Sequence, residues 1–115
     1  EDVVEVLKAL KDDGHKIYII TARDYEFHEN PYELSKIWLD ENNIKYDKLI
    51  VNARDKAKIC KEQNVDLFID DKLSNCESIS NENIITIRIT NYTDLHGNII
   101  NKKNWKEIYE YIKQL

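Results

Sequence analysis

Asp70 and Asp71 stand side by side directly after a short apolar run at 65–69. Two adjacent carboxylates repel each other unless a proton or a cation lies between them. Oxygen-rich sites of this kind suit Mg²⁺, which keeps several waters and takes only one or two protein carboxylates. Thr21 follows a second β-branched run at 16–20, and Lys56 or Lys58 opens a helical stretch that begins at Asp55. A hydroxyl, backbone N–H groups, an ammonium and an acid pair are together the parts of a phosphate site. The anion would be held by the Thr21 hydroxyl and by neighbouring backbone amides at Ala22 and Arg23. Its charge would be balanced by lysine and Mg²⁺. Each part also has a plain structural use. Aspartate is a common helix N-cap, and a strand-end threonine often serves a turn. A lysine in the first turn of a helix is poorly placed against the dipole unless an anion sits nearby. Arg23 has Asp24 and Glu26 as possible ion partners. The ordered set is more specific than any member. His15, His28 and His96 have no spacing that suggests a metal or a triad.

The elements that must position these groups follow from periodicity. Val3, Val6, Leu7 and Leu10 recur at helical spacing over 2–12, and Gly14 supplies the glycine expected just past a helix end. Strands are expected at 16–20, 47–51, 65–69 and 83–89, the last rich in β-prone isoleucine. A helix opens at Asn30-Pro31, with Glu33 completing a capping box, and Leu34, Ile37 and Trp38 are expected to give its core face. Further helices are expected at 55–63, with Ala57 and Cys60 inward, around 75–79, and from Asn104 onward, the last packing Trp105, Ile108, Tyr109 and Ile112. Residues 90–103 read as an irregular polar loop, and the asparagine-rich connections as solvated turns. Strands alternating with helices predict an α/β fold, a three-layer doubly wound parallel sheet in which ligands bind at the carboxyl ends of the strands.

At 115 residues the chain is expected to form a single domain over 1–115. No apolar run approaches a membrane span, and no signal-peptide pattern opens the chain. The net charge of −5 argues against a nucleic-acid partner bound through a basic face. Cys60 and Cys76 lack Cys-x-x-Cys spacing, so unpaired thiols in a reducing cytoplasm are expected.

Taken in order, these residues resemble the haloacid dehalogenase-like phosphatase superfamily. Residues 17–23, Ile-Tyr-Ile-Ile-Thr-Ala-Arg, look like its second motif, Asp55-Lys56-Ala57 like its third, and Asp70-Asp71 like the double-aspartate form of its fourth. Thr21-Ala22-Arg23, Trp38-Leu39 and Ile69-Asp70-Asp71 preceding Asn75-Cys76 are most similar to the 5′(3′)-deoxyribonucleotidase type C branch. The likeness runs through essentially the whole chain.

The resemblance implies a Mg²⁺-dependent phosphomonoesterase with an aspartyl nucleophile, acting on a small phosphate ester such as a nucleoside monophosphate. Thr21 would bind the transferring phosphoryl group, and Lys56, with Lys58 as fallback, would stabilise the nucleophile and the phosphate charge. Asp71 would be the direct metal ligand, and Asp70 would ligate through water or orient the lysine. Arg23 would contact substrate, and Asn75 would support the acid pair. In such enzymes the nucleophile lies on a first strand in an Asp-x-Asp motif, which does not occur in this sequence. The chain is therefore expected to be the C-terminal part of a larger phosphatase, without first strand or cap, and inactive alone. In the family's strand order of 5-4-1-2-3, residues 16–20 would pair with 47–51, and 65–70 with 83–89. The slot between the pairs would be filled by an N-terminal piece or by a second copy; failing that, 16–20 would pair with 65–70. Two other readings compete. A non-catalytic binding or assembly module could derive from the same fold. A receiver domain also joins an acid pair, a threonine and a lysine around Mg²⁺, but places the acid pair first in the chain.

Overall fold

A computed structural model describes residues 2–21 and 30–115. Ala22 and Arg23, assigned above to phosphate binding, and His28 lie outside the described residues. Contacts divide the chain into two units, Glu1–Arg54 and Asp55–Leu115.

In the first unit, α1 spans Val3–Asp12 and buries Val6, Leu7 and Leu10 along one face. It ends in a pair of closing bonds, from Gly14 N–H to Lys11 O and from His15 N–H to Leu10 O. The Gly14 φ of +99° is one that glycine adopts without a Cβ penalty. β1 (Tyr18–Ile20) and β2 (Lys48–Ile50) pair in parallel, with Ile19 opposite Leu49. Asp47 ties this pair to α1: its carboxylate accepts from Lys11 Nζ at 2.6 Å and from the Ile17 N–H at 2.7 Å. Both bonds hold its pKa below the ordinary value, that from Lys11 most strongly.

Between the strands, α2 (Pro31–Glu41) starts as its sequence dictates. The Asn30 side chain accepts from the Glu33 N–H at 3.1 Å, and Pro31 occupies the first turn. Its buried face differs from the expectation. Leu34, Ile37 and Trp38 are 46%, 50% and 51% exposed, whereas Pro31, Ser35 and Leu39 are buried. The inward stripe runs at i, i+4 and i+8, one residue on from Leu34 and Trp38, a rotation of about 100°. A serine in mid-stripe hid it. Apolar spacing alone could not tell this stripe from the neighbouring one.

In the second unit, α3 (Lys56–Glu62) leads to β3 (Leu67–Asp70), α4 (Leu73–Ser80), β4 (Ile85–Ile89), β5 (Ile100–Lys102) and α5 (Trp105–Lys113). β3, β4 and β5 form a parallel sheet in that order, with Asp70 opposite Arg88 and Ile87 opposite Ile100. β5 corrects the expectation of an irregular loop across 90–103. Three residues are too few to show a period of two, and this strand is fixed by its neighbour. The Thr90 N–H donates to Lys102 O at 2.8 Å, and Ile99 is buried beside it. The core of this unit is Cys60, Phe68, Cys76, Ile79, Ile87 and Ile108, with Thr86 satisfied by donating its hydroxyl to Ile84 O. Trp105, Tyr109 and Ile112 are only half-buried around Ile108.

The chain is thus α/β with parallel strands, in a two-stranded and a three-stranded sheet. The expected pairing of 16–20 with 47–51 and of 65–70 with 83–89 is present. No ladder joins β1 to β3 among the described residues. Both cysteines are unpaired and buried. No described helix is long and apolar enough to cross a membrane. The asparagine-rich connections are more than solvated turns: Asn43, Asn52, Asn64 and Asn83 have φ of 58°, 57°, 56° and 63°. Asn43 and Asn64 close α2 and α3 with the same pair of bonds that Gly14 makes after α1.

Candidate functional site

The carboxyl end of β3 brings Lys56, Asp70, Asp71 and Arg88 together. Asp55 caps α3 by accepting from the Lys58 N–H at 3.1 Å, which makes Lys56 the first helical residue. From there Lys56 Nζ reaches Asp70 Oδ2 at 3.5 Å, with the two side chains 18% and 13% exposed. Lys58 is exposed and makes no such contact among the described residues. The geometry therefore joins Lys56, rather than the fallback lysine, to the acid pair.

Asp70 is saturated with donors. Its Oδ1 accepts from the N–H groups of Asp71 at 2.7 Å and Lys72 at 3.1 Å, while Oδ2 accepts from Asn75 Nδ2 at 2.9 Å as well as from Lys56. Burial alone would raise its pKa. The donors, led by the Lys72 N–H and the Asn75 amide, outweigh that and hold it below the ordinary carboxylate value. The N-cap residue of α4, Lys72, provides no side-chain cap, and Asp70 bonds to the two N–H groups just ahead of the helix. Asn75 lies on that helix, five residues after Asp70, so helix start and side-chain bond fix each other. Cys76, next in the chain, is fully buried with Sγ 3.8 Å from Asp70 O. Its thiol is pushed up to about 11, by burial first and then by the Asp70 charge. It is a protonated packing group, unsuited to nucleophilic work at neutral pH.

Asp71 contrasts with its neighbour. It is exposed, whereas Asp70 is half-buried among its donors. Its carbonyl accepts from Arg88 Nε at 3.5 Å. Among the described residues no group of three or more His, Cys, Asp or Glu could hold a metal by themselves. One accessible carboxylate beside a second, hydrogen-bonded one nevertheless fits Mg²⁺ with a largely aqueous shell. Asp71 would hold it directly; Asp70, whose oxygens already accept from four donors, would orient Lys56 instead.

Thr21 belongs to the first unit, at the carboxyl end of β1. Its N–H donates to Ile50 O at 2.9 Å and its carbonyl accepts from the Ala53 N–H at 3.0 Å, which carries the β1–β2 ladder one residue further. Arg88 was not singled out from the sequence. Its only signal was a charge interrupting the isoleucines of β4, and its position opposite Asp70 depends on strand register.

A family model described as "5' nucleotidase, deoxy (Pyrimidine), cytosolic type C protein" matches residues 1–115. A nucleotidase-named protein of Bacillus cereus is 32% identical over 115 residues, covering 96% of this chain and 59% of the relative. A nucleotidase of Clostridium acetobutylicum is 29% identical over 119 residues, covering 100% of this chain and 59% of its own length. A third nucleotidase-named protein, from Halalkalibacterium halodurans, is 24% identical. The chain thus spans under two thirds of the length of these relatives. No solved structure gives a significant match.

Proposed function

We propose that this chain, which belongs to the family of cytosolic type C 5′-nucleotidases, carries the lysine and the acid pair of a Mg²⁺-dependent hydrolase of small phosphate esters. The observation that carries the reading is the Lys56–Asp70–Asn75 cluster beside an exposed Asp71. A lysine that only balanced a carboxylate could sit anywhere on the surface. This one is half-buried and lies within reach of Asp70 at the end of a strand. Asp70 orients Lys56, and Lys56 balances charge on the phosphoryl oxygens. Mg²⁺, when bound at Asp71, would supply further neutralisation of the phosphate. An aspartyl nucleophile displaces the ester oxygen, and water then releases phosphate from the acyl phosphate. No Asp-x-Asp pair occurs in residues 1–115, so this reading assigns the nucleophile to sequence outside them.

The full-length protein is expected to release phosphate from nucleoside 5′-monophosphates only with Mg²⁺, and residues 1–115 alone to release none. Undiminished hydrolysis in excess EDTA would overturn the metal assignment, as would tight Mg²⁺ binding in calorimetry that survives Asp71→Ala.

We also infer that the open edge of β1 and that of β3 are each completed by a further strand. Among the described residues, β1 is bonded only to β2 and β3 only to β4. Unpaired edges leave rows of N–H and C=O groups that recruit other strands. The partner is sequence outside residues 1–115 or a segment of a second copy. Hydrogen exchange should find more protected β1 and β3 amides in the full-length protein than in a monomer of residues 1–115. Equal protection in the two would exclude the extra strand.

A further inference from the structure

Asp71 has an exposed side chain on a main chain that is held at both of its polar atoms. Its N–H donates to Asp70 Oδ1 at 2.7 Å, and its carbonyl accepts from Arg88 Nε at 3.5 Å. The ladder between β3 and β4 ends with Asp70 opposite Arg88, so the Asp71 peptide lies just beyond it. Two side chains, one from each strand, thus take over where the backbone ladder stops.

The plain use of Arg88 would be as a counter-charge to the acids around it. A guanidinium in that role aims its fork at a carboxylate, and the two-pronged pair is the favoured form. Among the described residues Arg88 makes no ion pair. Its Nε goes to a carbonyl instead, and its Nη1 is buried with no hydrogen-bond partner. Leaving a buried N–H unpaired is costly, so this placement of the fork is not the one that best satisfies arginine itself. The Tyr92 ring, with its centroid 5.8 Å from the guanidinium carbon, confines the fork further. What the placement does achieve is a fixed Asp71 peptide under a free Asp71 carboxylate.

We infer that Arg88 is a positioning residue for the metal site: by holding the Asp71 carbonyl, it sets the direction in which the Asp71 carboxylate meets Mg²⁺. The inference rests on the reading of Asp71 as the direct Mg²⁺ ligand and adds a residue to it. Mg²⁺ demands near-ideal octahedral geometry and takes only one or two protein carboxylates. The orientation of a single direct ligand therefore carries much of the affinity.

Calorimetric titration of the full-length protein with Mg²⁺ tests it through two variants, Arg88→Gln and Arg88→Met. Glutamine puts an amide nitrogen where arginine has Nε, and methionine puts a methyl group there; both remove the charge. Arg88→Met should weaken Mg²⁺ binding roughly 10–100-fold, the usual loss when a group that orients a metal ligand is removed. Arg88→Gln should keep most of the wild-type affinity, because it keeps the donor. Equal affinities in the two variants would overturn the positioning role while leaving Mg²⁺ at Asp71 intact, and a shared tightening would mark Arg88 as no more than a repelling cation. Loss of the far-UV circular dichroism of either variant would assign Arg88 to the fold instead, and overturn the role as well. Absence of Mg²⁺ binding in the unsubstituted protein would overturn both readings.

Discussion

On the hydrolase reading proposed above, replacing Lys56 by alanine in a protein that also supplies the nucleophile is expected to lower kcat by about 10²–10³-fold, the loss typical when one preorganised donor to a developing charge is removed. The expectation follows from position. Lys56 is the first residue of α3, its side chain is 18% exposed, and its ammonium is held by Asp70 at 3.5 Å. On that reading the ammonium is held near the acid pair before substrate arrives. The fold should survive the change, because Asp70 keeps the Asp71 and Lys72 N–H groups and the Asn75 amide as donors. Lys58→Ala makes the matched control: that side chain is exposed on the same helix and should leave kcat within about twofold, as surface substitutions away from a site usually do. Circular dichroism on both variants separates chemistry from unfolding. Wild-type turnover in Lys56→Ala would remove the lysine from the mechanism.

The second large effect is on stability. Asp70→Ala is expected to destabilise the protein by about 3 kcal/mol, in the range for stranding the partners of a largely buried carboxylate. Two backbone N–H groups, the Asn75 amide and the Lys56 ammonium all lose their acceptor at once. Asp70→Asn, which keeps one carbonyl oxygen, should cost less. The same group sets a pH dependence. Its pKa is depressed in the folded protein, so its contribution is fully present above the unfolded value of about 3.9. That contribution is lost as the pH falls through the lower folded value, where the unfolded state binds more protons. Thermal melts from pH 6 downward should therefore show wild-type stability falling below about pH 4, with a shallower fall for Asp70→Asn. Asp47, also depressed by its donors, contributes in the same direction and remains in both proteins. Parallel melting curves across that range would mean that Asp70 is not the group responsible.

What could be read from the sequence was local. Asn30, Asp55 and Asn104 each accept from the N–H three residues on, a bond that needs only the sequence around it. The strand ending at Asp70-Asp71 could be read because an apolar run stops abruptly at charge. What could not be read depends on partners distant in the chain. β5 exists because β4 offers an edge. Arg88 matters because strand register sets it opposite Asp70, thirteen positions after Asn75 had closed the local pattern. The inward stripe of α2 is chosen by what packs against Ser35 and Leu39. Which lysine opens α3, Lys56 or Lys58, lay in between: it turned on where Asp55 caps the helix, a local fact that two candidates two residues apart left open.

The four left-handed asparagines have a consequence for the unfolded state. The chain has only two glycines in 115 residues, although at least five of its turns need positive φ, at Gly14 and at Asn43, Asn52, Asn64 and Asn83. Asparagine tolerates that region because its short polar side chain bonds to the nearby backbone. Unlike glycine, it does not open the mirror-image half of conformational space to the denatured chain. Where the native angle is accessible, a residue with a side chain in place of glycine favours folding by about 0.4–1 kcal/mol, through the lower entropy of the unfolded ensemble. That gain works against the Cβ penalty of the left-handed region, which glycine would not incur, and it resides in no contact of the native structure. It lies in a denatured chain whose reversals at Asn43, Asn52, Asn64 and Asn83 have fewer directions in which to go wrong.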